Sequence, residues 1–189
     1  MNQNRIEKKF IYSEGDESFK LFIINAMFKE TFKPRIVNSI YFDTPVFTDV
    51  WDNINGFGNR KKIRIRWYDE INQSAVFIEE KKKISSVTQK TTNKLGNFKD
   101  YNELNDFITN ENFFKQKFIL NKKLNLKKTI FIQYKRSYFE LPNQKLRLTI
   151  DRDLKIFNSY PLNFIDLNKI IIELKYNTSQ ASFVNDFIF

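Results

Sequence analysis

Apolar and charged residues alternate one by one along RKKIRIRWY, residues 60–68. Successive side chains of an extended strand point to opposite faces, so Ile63, Ile65 and Trp67 share one apolar face. The opposite face gathers three cations: Lys62, Arg64 and Arg66. Neighbouring cations on that face lie about 7 Å apart at roughly 3.3 Å of rise per residue. The pattern predicts a strand. Because like charges at this spacing repel, its charged face is either the solvated side of a sheet or a surface that meets an anionic partner.

Seven more segments show the same period of two and are predicted as strands. They are RIEKKFIY (5–12), IVNSIYFD (36–43), AVFIEEKKK (75–83), SVTQKTT (86–92), TIFIQYKRSYF (129–139), KLRLTID (145–151) and KIIIELKY (169–176). With residues 60–68 they make eight predicted strands. The stretch GFGNRKK (56–62) has no Walker pattern and is interpreted as a turn.

Other parts of the chain show helical spacing. In ESFKLFIINAMFKETF (17–32), apolar residues recur at i, i+3, i+4, i+7 and i+8. Residues 100–120 predict two short helices, and the tail after Asn177 has room for one more. The basic stretch NKKLNLKK (121–128) is interpreted as an exposed connection.

Most of the predicted strands carry a face of mixed charge opposite an apolar face. The residues on the charged faces are Arg5, Lys9, Lys62, Arg64, Arg66, Lys81, Lys90, Arg136, Arg147 and Lys175, interleaved with Glu7, Glu79, Asp151 and Glu173. The apolar faces need cover, which the Phe-rich helices supply. We therefore expect an α+β fold, an eight-stranded antiparallel tunnel barrel with a charged interior, flanked by helices.

A barrel interior lined by these cations requires an anionic ligand, because buried charges must be paired. A polyanion fits this requirement. Arg guanidinium groups match phosphate oxygens in pairs, and Lys supplies a point charge. The carboxylates among the cations can hold a divalent metal that bridges phosphates.

The composition narrows the chemistry further. The chain has 189 residues, 41% of them hydrophobic, which suits a single domain over residues 1–189, and a net charge of +10, which suits an anionic partner. It has no Cys and no His, so a metal must have oxygen ligands, which favours Mn²⁺ or Mg²⁺. The N-terminus shows no signal peptide, and no apolar run is long enough to span a bilayer. We therefore expect a cytoplasmic protein.

The segments RIEKKF, IVNSIYFDTP, KIRIRWY, FIEEKKK, QYKRSYFE, LRLTIDRDL and IIELKY occur in this order along residues 5–177. Together they resemble the VTC-type polyphosphate polymerase domain of the triphosphate tunnel metalloenzyme superfamily. The resemblance implies an antiparallel tunnel barrel with helices outside. It also implies transfer of the ATP γ-phosphate to a growing polyphosphate chain, with Mn²⁺ or Mg²⁺ and with polyphosphate or pyrophosphate as primer.

The resemblance assigns roles to individual residues. The residues expected to grip the triphosphate and the chain, and so to be catalytic, are Lys9, Arg64, Arg66, Lys81, Lys90, Arg136 and Arg147. The further residues expected to bind substrate are Arg5, Lys62, Tyr134 and Lys175. Glu173 is expected to ligate the metal. Glu7 and Glu79 either join it or form ion pairs with neighbouring cations.

Two features depart from the family pattern. RIEKKF has Arg5 where hydrolytic relatives carry the first Glu of an E-x-E-x-K motif, which favours the polymerase branch. After ELKY the family continues through a helix to a segment that contains Lys. Here the chain reads NTSQASFVNDFIF to Phe189, so we expect the closing helix to be missing or altered.

Three other functions stay open at this point. The pattern also suits hydrolysis of tripolyphosphate or nucleoside triphosphates, or binding of polyphosphate without turnover. Binding of single-stranded nucleic acid requires aromatic residues on the charged face. Because the aromatic residues mostly share the apolar faces, we expect no nucleic-acid partner. The sequence leaves the preferred metal, the oligomeric state and a membrane partner open.

Overall fold

The structure, a computed structural model, describes residues 5–16, 18–25, 27–85, 87–110, 126–141, 146–159 and 163–188. The strands in these ranges are β1 (Arg5–Ser13), β2 (Lys29–Asp43), β3 (Arg60–Tyr68), β4 (Val76–Ile84), β5 (Val87–Gly96), β6 (Lys127–Leu141), β7 (Leu146–Ser159), β8 (Asn163–Asp166) and β9 (Lys169–Asn177). The helices there are α1 (Ser18–Asn25), α2 (Thr48–Ile54), α3 (Tyr101–Thr109) and α4 (Ala181–Ile188). Two short 3-10 turns, Ile71–Gln73 and Thr178–Gln180, complete the regular structure of these ranges.

The strands form one sheet with the hydrogen-bonded order β1-β9-β7-β6-β2-β3-β4-β5, and β8 pairs with β7. Pairs β1/β9, β2/β3, β3/β4, β4/β5 and β7/β9 are antiparallel. The eight predicted strands are therefore confirmed, and the short β8 was missed. Over the described residues this order is a path with β1 and β5 at its ends, rather than a closed ring.

The chain divides into two compact units. The first unit comprises Met1–Ile36, Gln133–Ile156 and Ile165–Phe189, and the second comprises Val37–Ile132 and Phe157–Phe164. Strands β2, β6, β7 and β8 contribute residues to both units because each division point falls inside a strand.

The apolar face of β3 lies in the core of the second unit. Ile63, Ile65 and Trp67, which the alternation placed on one face, are all buried. Leu104 and Ile108 of α3 belong to the same buried cluster. The predicted division of β3 into an apolar and a charged face is therefore confirmed.

The core of the first unit forms in the same way. Leu148 of β7 and Ile172 and Leu174 of β9 are buried, and Phe19 of α1 and Val184 of α4 pack in the same cluster. The apolar residues of β7 and β9 alternate with charged residues along each strand, which leaves the charged side chains on the opposite face.

The helix predicted over residues 17–32 was wrong beyond Asn25. Met27 has a φ of 56°, outside the helical region, and β2 begins at Lys29. Apolar spacing continued past the helix end, but the Phe28 N–H donates to the Ile23 carbonyl at 3.2 Å across the left-handed Met27, which terminates the helix. The chain therefore changes to a strand where the spacing still suited a helix.

The remaining helices were predicted unevenly. In residues 100–120, α3 confirms one helix, and the second falls outside the described residues, as do residues 121–125 of the basic stretch. Helix α2 was not predicted. Helix α4 confirms a helix after Asn177, and its sequence ASFVNDFI contains no Lys. Among the described residues, no helix is both long enough and apolar enough to cross a membrane.

Candidate functional site

Four neighbouring strands, β2 to β5, build the charged face of the second unit. Residues directly opposite each other in an antiparallel pair project from the same face. The register places Tyr41 opposite Arg64, Arg64 opposite Glu79 and Glu79 opposite Thr92. A row of polar side chains therefore crosses the four strands.

Glu79 lies at the centre of this row, with only 6% of its surface exposed. Its Oε2 accepts from Arg64 Nε at 2.7 Å, and lies 2.6 Å from Arg64 Nη2 and 3.8 Å from Arg66 Nη1. Its Oε1 accepts from Lys90 Nζ at 2.7 Å. We call Tyr41, Arg64, Arg66, Glu79 and Lys90 the Glu79 cluster.

Three cations around one carboxylate decide the charge of the Glu79 cluster. Burial acts to raise the pKa of Glu79, but Arg64, Lys90 and Arg66 outweigh it and lower this pKa from 4.5 to about 2. Glu79 is therefore ionised at neutral pH. Because three cations face one anion, the cluster keeps an excess of positive charge, which suits a phosphate group.

Two polar side chains of β2 belong to this site and were not predicted. Arg64 Nη1 donates to Tyr41 Oη at 3.1 Å, and Arg66 Nε donates to Ser39 Oγ at 3.2 Å. Burial acts to raise the pKa of Tyr41, but the nearby cations, Arg64 first, lower it below 10. The alternation in SIYF, residues 39–42, carried the signal, because it puts both polar residues on the charged face.

Lys62 and Lys81 extend the same face toward one end of the strands. The register sets Lys62 opposite Lys81, and Lys81 opposite Lys90. Lys62 and Lys81 are exposed, whereas Arg66 is buried. These two ammonium groups therefore add positive potential at the surface next to the more buried guanidinium groups.

Strands β1, β9 and β7 build the charged face of the first unit. The register sets Glu7 opposite Lys175, and Lys9 opposite Glu173. Across β9, Arg147 lies opposite Lys175. Cations and anions therefore alternate both along and across β1 and β9, whereas cations predominate on the charged face of the second unit.

Glu173 is the buried centre of this face, with 6% of its surface exposed. Lys175 Nζ lies 3.0 Å from Glu173 Oε2 and 3.6 Å from Glu7 Oε1, and Lys9 Nζ lies 3.6 Å from Glu173 Oε1. Burial acts to raise the pKa of Glu173, but Lys175, Lys9 and Arg136 outweigh it and lower this pKa. We call Glu7, Lys9, Glu173 and Lys175 the Glu173 cluster.

Arg136 of β6 is held by another carboxylate of the first unit. Its Nε and Nη2 donate to the two Asp151 oxygens at 2.5 and 2.6 Å. Its Cζ lies 5.1 Å from the centroid of the Tyr134 ring, a cation–π contact. Burial acts to lower the pKa of Arg136, but Asp151, Tyr134 and Glu173 outweigh it and raise this pKa. Arg136 is therefore a permanent cation with a fixed orientation.

Two predicted residues remain. Arg147 is exposed on β7. Arg5 lies in β1 opposite Asn177, and its side chain falls outside the described part of the chain. One side chain of β7 was not predicted. Thr149 lies opposite Glu173 of β9, and its buried Oγ1 has no hydrogen-bond partner among the described residues. A buried hydroxyl of this kind is available to a ligand.

The carboxylates differ in how well they fit a metal. Among the described residues, no group of three or more acidic side chains has a metal-binding arrangement. Glu7 and Glu173 nevertheless converge on one cation, the Lys175 ammonium. Metals such as Mg²⁺ that bind phosphates use one or two carboxylates and complete their shell with phosphate oxygens and water. This pair fits such a metal, because its contacts with Lys9 and Lys175 are longer, at 3.0 to 3.6 Å, whereas the contacts of Glu79 with Arg64 and Lys90 measure 2.6 to 2.7 Å.

Comparisons with known proteins identify a family for this sequence and solved structures with a similar fold. The family model described as VTC domain matches residues 4–188. A candidate adenylate cyclase from Bacillus halodurans has a TM-score of 0.55 at 14% identity, over 98% of this chain and 90% of that one. A candidate adenylyl cyclase from Hippeastrum, described with a dominant triphosphatase activity, has a TM-score of 0.53 at 13% identity, over 97% and 87%. These similarities confirm the predicted fold class. No curated protein matches the chain.

Proposed function

Because the chain belongs to the VTC domain family, we propose that it is an ATP-dependent polyphosphate polymerase. It transfers the γ-phosphate of ATP to the end of a growing polyphosphate chain, with Mn²⁺ or Mg²⁺ and with polyphosphate or pyrophosphate as primer. The observation that carries this proposal is the Glu79 cluster, in which one buried carboxylate contacts two guanidinium groups and an ammonium.

Phosphoryl transfer needs charge stabilisation and positioning more than it needs an acid or a base. The charge of the transferring group spreads over three non-bridging oxygens in the transition state. Arg64 and Arg66 neutralise it with donors whose direction is set before substrate binds. Lys90, whose side chain is about half exposed, closes on the phosphate as a mobile point charge.

Glu79 acts through its neighbours, as a positioning residue. Its contacts with Arg64 involve Nε and Nη2, and Tyr41 accepts from Nη1. A guanidinium has five N–H groups, so Arg64 retains donors for a phosphate while Glu79 and Tyr41 fix its plane. Removing Glu79 would leave the cations in place but free to turn.

The cations of the first unit also bind phosphate groups in this proposal. Lys9, Arg136, Arg147 and Lys175 lie on charged strand faces, and Arg136 is oriented by its paired bonds to Asp151. The acceptor, a terminal phosphate oxygen, already carries negative charge at neutral pH. It needs no strong base, which agrees with a chain that has no His.

The metal of this reaction would be held by Glu7 and Glu173. An ion held there would neutralise part of the charge of the phosphate groups. Lys175, which contacts both carboxylates, is the cation nearest to this pair and would also contact phosphate. Thr149 would supply a further neutral ligand or hydrogen-bond donor at the same place.

A product gel tests the proposal. The protein is incubated with ATP and Mn²⁺, with and without pyrophosphate, and the products are separated and stained for polyphosphate. We expect a ladder that exopolyphosphatase removes. Release of orthophosphate without a ladder would contradict synthesis.

A second candidate function is hydrolysis of tripolyphosphate or nucleoside triphosphates. The observation in its favour is the fold shared with the Hippeastrum protein, for which triphosphatase activity is described. The same cations would then stabilise attack by water. Orthophosphate release without chain growth selects this function, and tight triphosphate binding without turnover selects a binding module.

A further inference from the structure

Helix α2 exposes its apolar stripe. Phe47, which precedes the helix, and Val50, Trp51 and Ile54 follow the spacing i, i+3, i+4 and i+7, which normally faces a core. Here all four are exposed, Trp51 by 56% and Ile54 by 67%. Among the seven residues of α2, all of them described, Asp49 is the buried one. The helix is therefore turned with its apolar side outward.

Polar bonds hold α2 in this orientation. Asp43, at the end of β2, accepts from the backbone N–H of Asp49 through Oδ1 and from that of Val50 through Oδ2, each at 2.9 Å. Thr44 Oγ1 accepts from the backbone N–H of Thr48 at 3.1 Å. These bonds attach the first turn of α2 to the sheet without using its apolar stripe. The stripe thus stays available for a partner.

The exposed apolar residues continue on both sides of the helix. The apolar surface of α2 consists of Val46, Phe47, Val50, Trp51, Ile54 and Phe57. Its size is on the order of 500 Å², near the largest patch of a typical monomer. Beside it, Ser85 N donates to Asn59 Oδ1 at 3.1 Å, and the hairpin around Ser85 exposes Ile84 and Val87.

Cations border this apolar surface. The register of β3 and β4 sets Arg60 opposite Lys83 and Lys61 opposite Lys82, so like charges face each other in both pairs. The two pairs project from opposite faces of the sheet, with Lys61 and Lys82 on the face that carries Ile63. Directly opposed like charges destabilise a sheet. Arg60 Nη1 also donates to the carbonyl of Phe57 at 2.8 Å, which connects this basic end to the apolar surface. Glu80 contacts Lys82 at 3.2 Å and offsets one of the four charges.

We infer that this surface docks on an anionic lipid bilayer, with the apolar surface of α2 in the headgroup boundary and Lys61 and Lys82, which share one face of the β3/β4 pair, on the phosphates. Trp and Phe are suited to that boundary, and an amphipathic helix can lie in its plane. Clusters of Lys and Arg beside such a helix bind anionic lipids. A second copy of the chain is a poorer occupant, because a two-fold contact would add its own cations to the same rim.

Sedimentation with vesicles tests this inference. Vesicles of phosphatidylcholine with about 30 mol% phosphatidylglycerol are compared with phosphatidylcholine alone. We expect binding to the anionic vesicles and a blue shift of the Trp emission. The chain has two Trp, and Trp67 is already buried, so the shift reports on Trp51. We expect the double variant Trp51→Ser and Ile54→Ser to bind at least about tenfold more weakly.

Matched variants separate this surface from the overall positive charge. We expect Ile165→Ser, which changes an exposed apolar residue of β8, to bind like wild type. Lys61→Glu with Lys82→Glu should lower binding to anionic vesicles to a similar degree as the apolar variant. Circular dichroism and tripolyphosphate binding confirm that each variant is folded.

Three outcomes would overturn the inference. One is the absence of vesicle binding. Another is vesicle binding that salt abolishes and that the double variant Trp51→Ser and Ile54→Ser retains. Such binding would come from the positive charge of the chain alone. The third is self-association in the ultracentrifuge, without vesicles, that Trp51→Ser removes, which would assign the surface to a second copy.

Discussion

Glu79 of the second unit and Glu173 of the first are equally buried, yet their surroundings differ. Glu79 is paired with two guanidinium groups and one ammonium. Its contacts with Arg64 and Lys90 measure 2.6 to 2.7 Å, and its contact with Arg66 measures 3.8 Å. Glu173 is paired with two ammonium groups, at 3.0 and 3.6 Å, and one of these also contacts Glu7.

The sequence allowed both acids to be metal ligands. The difference in their surroundings separates a role in orienting cations from a role in metal binding. In the proposed function, Glu79 orients the cations that contact it and so acts on the phosphate-binding side of the chemistry. Glu173 shares the Lys175 ammonium with Glu7, and we propose this pair of carboxylates as the metal site.

Removing the charge of Glu79 should have the largest effect. We expect Glu79→Gln to lower the free energy of unfolding by about 3–5 kcal/mol, because it removes the anion that neutralises two largely buried guanidinium groups. Glu173→Gln should cost only about 1 kcal/mol, because its cations are partly solvated. Urea unfolding at neutral pH measures both. Equal losses would break the distinction between the two acids.

The same comparison has a pH dependence. Because the pKa of Glu79 is lowered from 4.5 to about 2, its stabilisation is complete above pH 4.5 and is lost as the pH falls toward 2. Glu79→Gln should therefore remove part of the acid sensitivity of wild type in that window. If the difference in unfolding free energy between wild type and Glu79→Gln stayed the same from pH 4.5 to 2, the lowered pKa of Glu79 would be contradicted.

Loss of a guanidinium from the Glu79 cluster should be next in size. We expect Arg64→Ala to lower kcat for phosphate transfer at least about 100-fold, because preset charge stabilisation is lost. The matched control is Arg35→Ala, which removes an exposed arginine of β2 whose guanidinium lies over Tyr138. Near-normal transfer by a folded Arg64→Ala protein would remove the cluster from the catalytic site.

The metal dependence of activity should distinguish the Glu79 cluster from the Glu173 cluster, with a smaller effect than the loss of Arg64. In Glu7→Gln and Glu173→Gln, we expect the Mn²⁺ concentration for half-maximal activity to rise at least about tenfold. Glu79→Gln should lower activity without this change. A rise confined to Glu79→Gln would move the metal site to the second unit.

Asp49 is a third buried acid, and we expect its replacement to have the smallest effect on stability. Burial raises the pKa of Asp49 from 3.8 to about 6, and nearby Lys61 only partly opposes this. Because the unfolded chain ionises first, Asp49 costs stability increasingly as the pH rises from about 3.8 to 6. We expect Asp49→Asn to gain about 1 kcal/mol at pH 7.5 and nothing at pH 3.5, with exposed Asp106→Asn as control. Equal gains at both pH values would contradict the raised pKa.

The strand faces were predictable from the sequence because period-two alternation depends only on the extended backbone. Lys62, Arg64 and Arg66 were assigned to one face on that basis, and the register confirms it. The partners of each acid were not predictable, because they depend on which strands become neighbours. Alternation could not show that Glu79 would be flanked by β3 and β5.

The errors have physical causes as well. Apolar spacing predicted a helix through Met27, which instead adopts a positive φ. Helix α2 escaped prediction because its apolar stripe serves no core and its first turn is held by Asp43, a contact that only the fold supplies.

The most direct test follows the γ-phosphate itself. ATP labelled at the γ-phosphate is incubated with the protein, Mn²⁺ and pyrophosphate, and the label is divided between polyphosphate chains and orthophosphate. If the account is right, most of the label enters chains in wild type, and Arg64→Ala incorporates almost none. Label that appears only as orthophosphate, at a rate that Arg64→Ala also abolishes, would show that the same cations serve hydrolysis and would contradict synthesis.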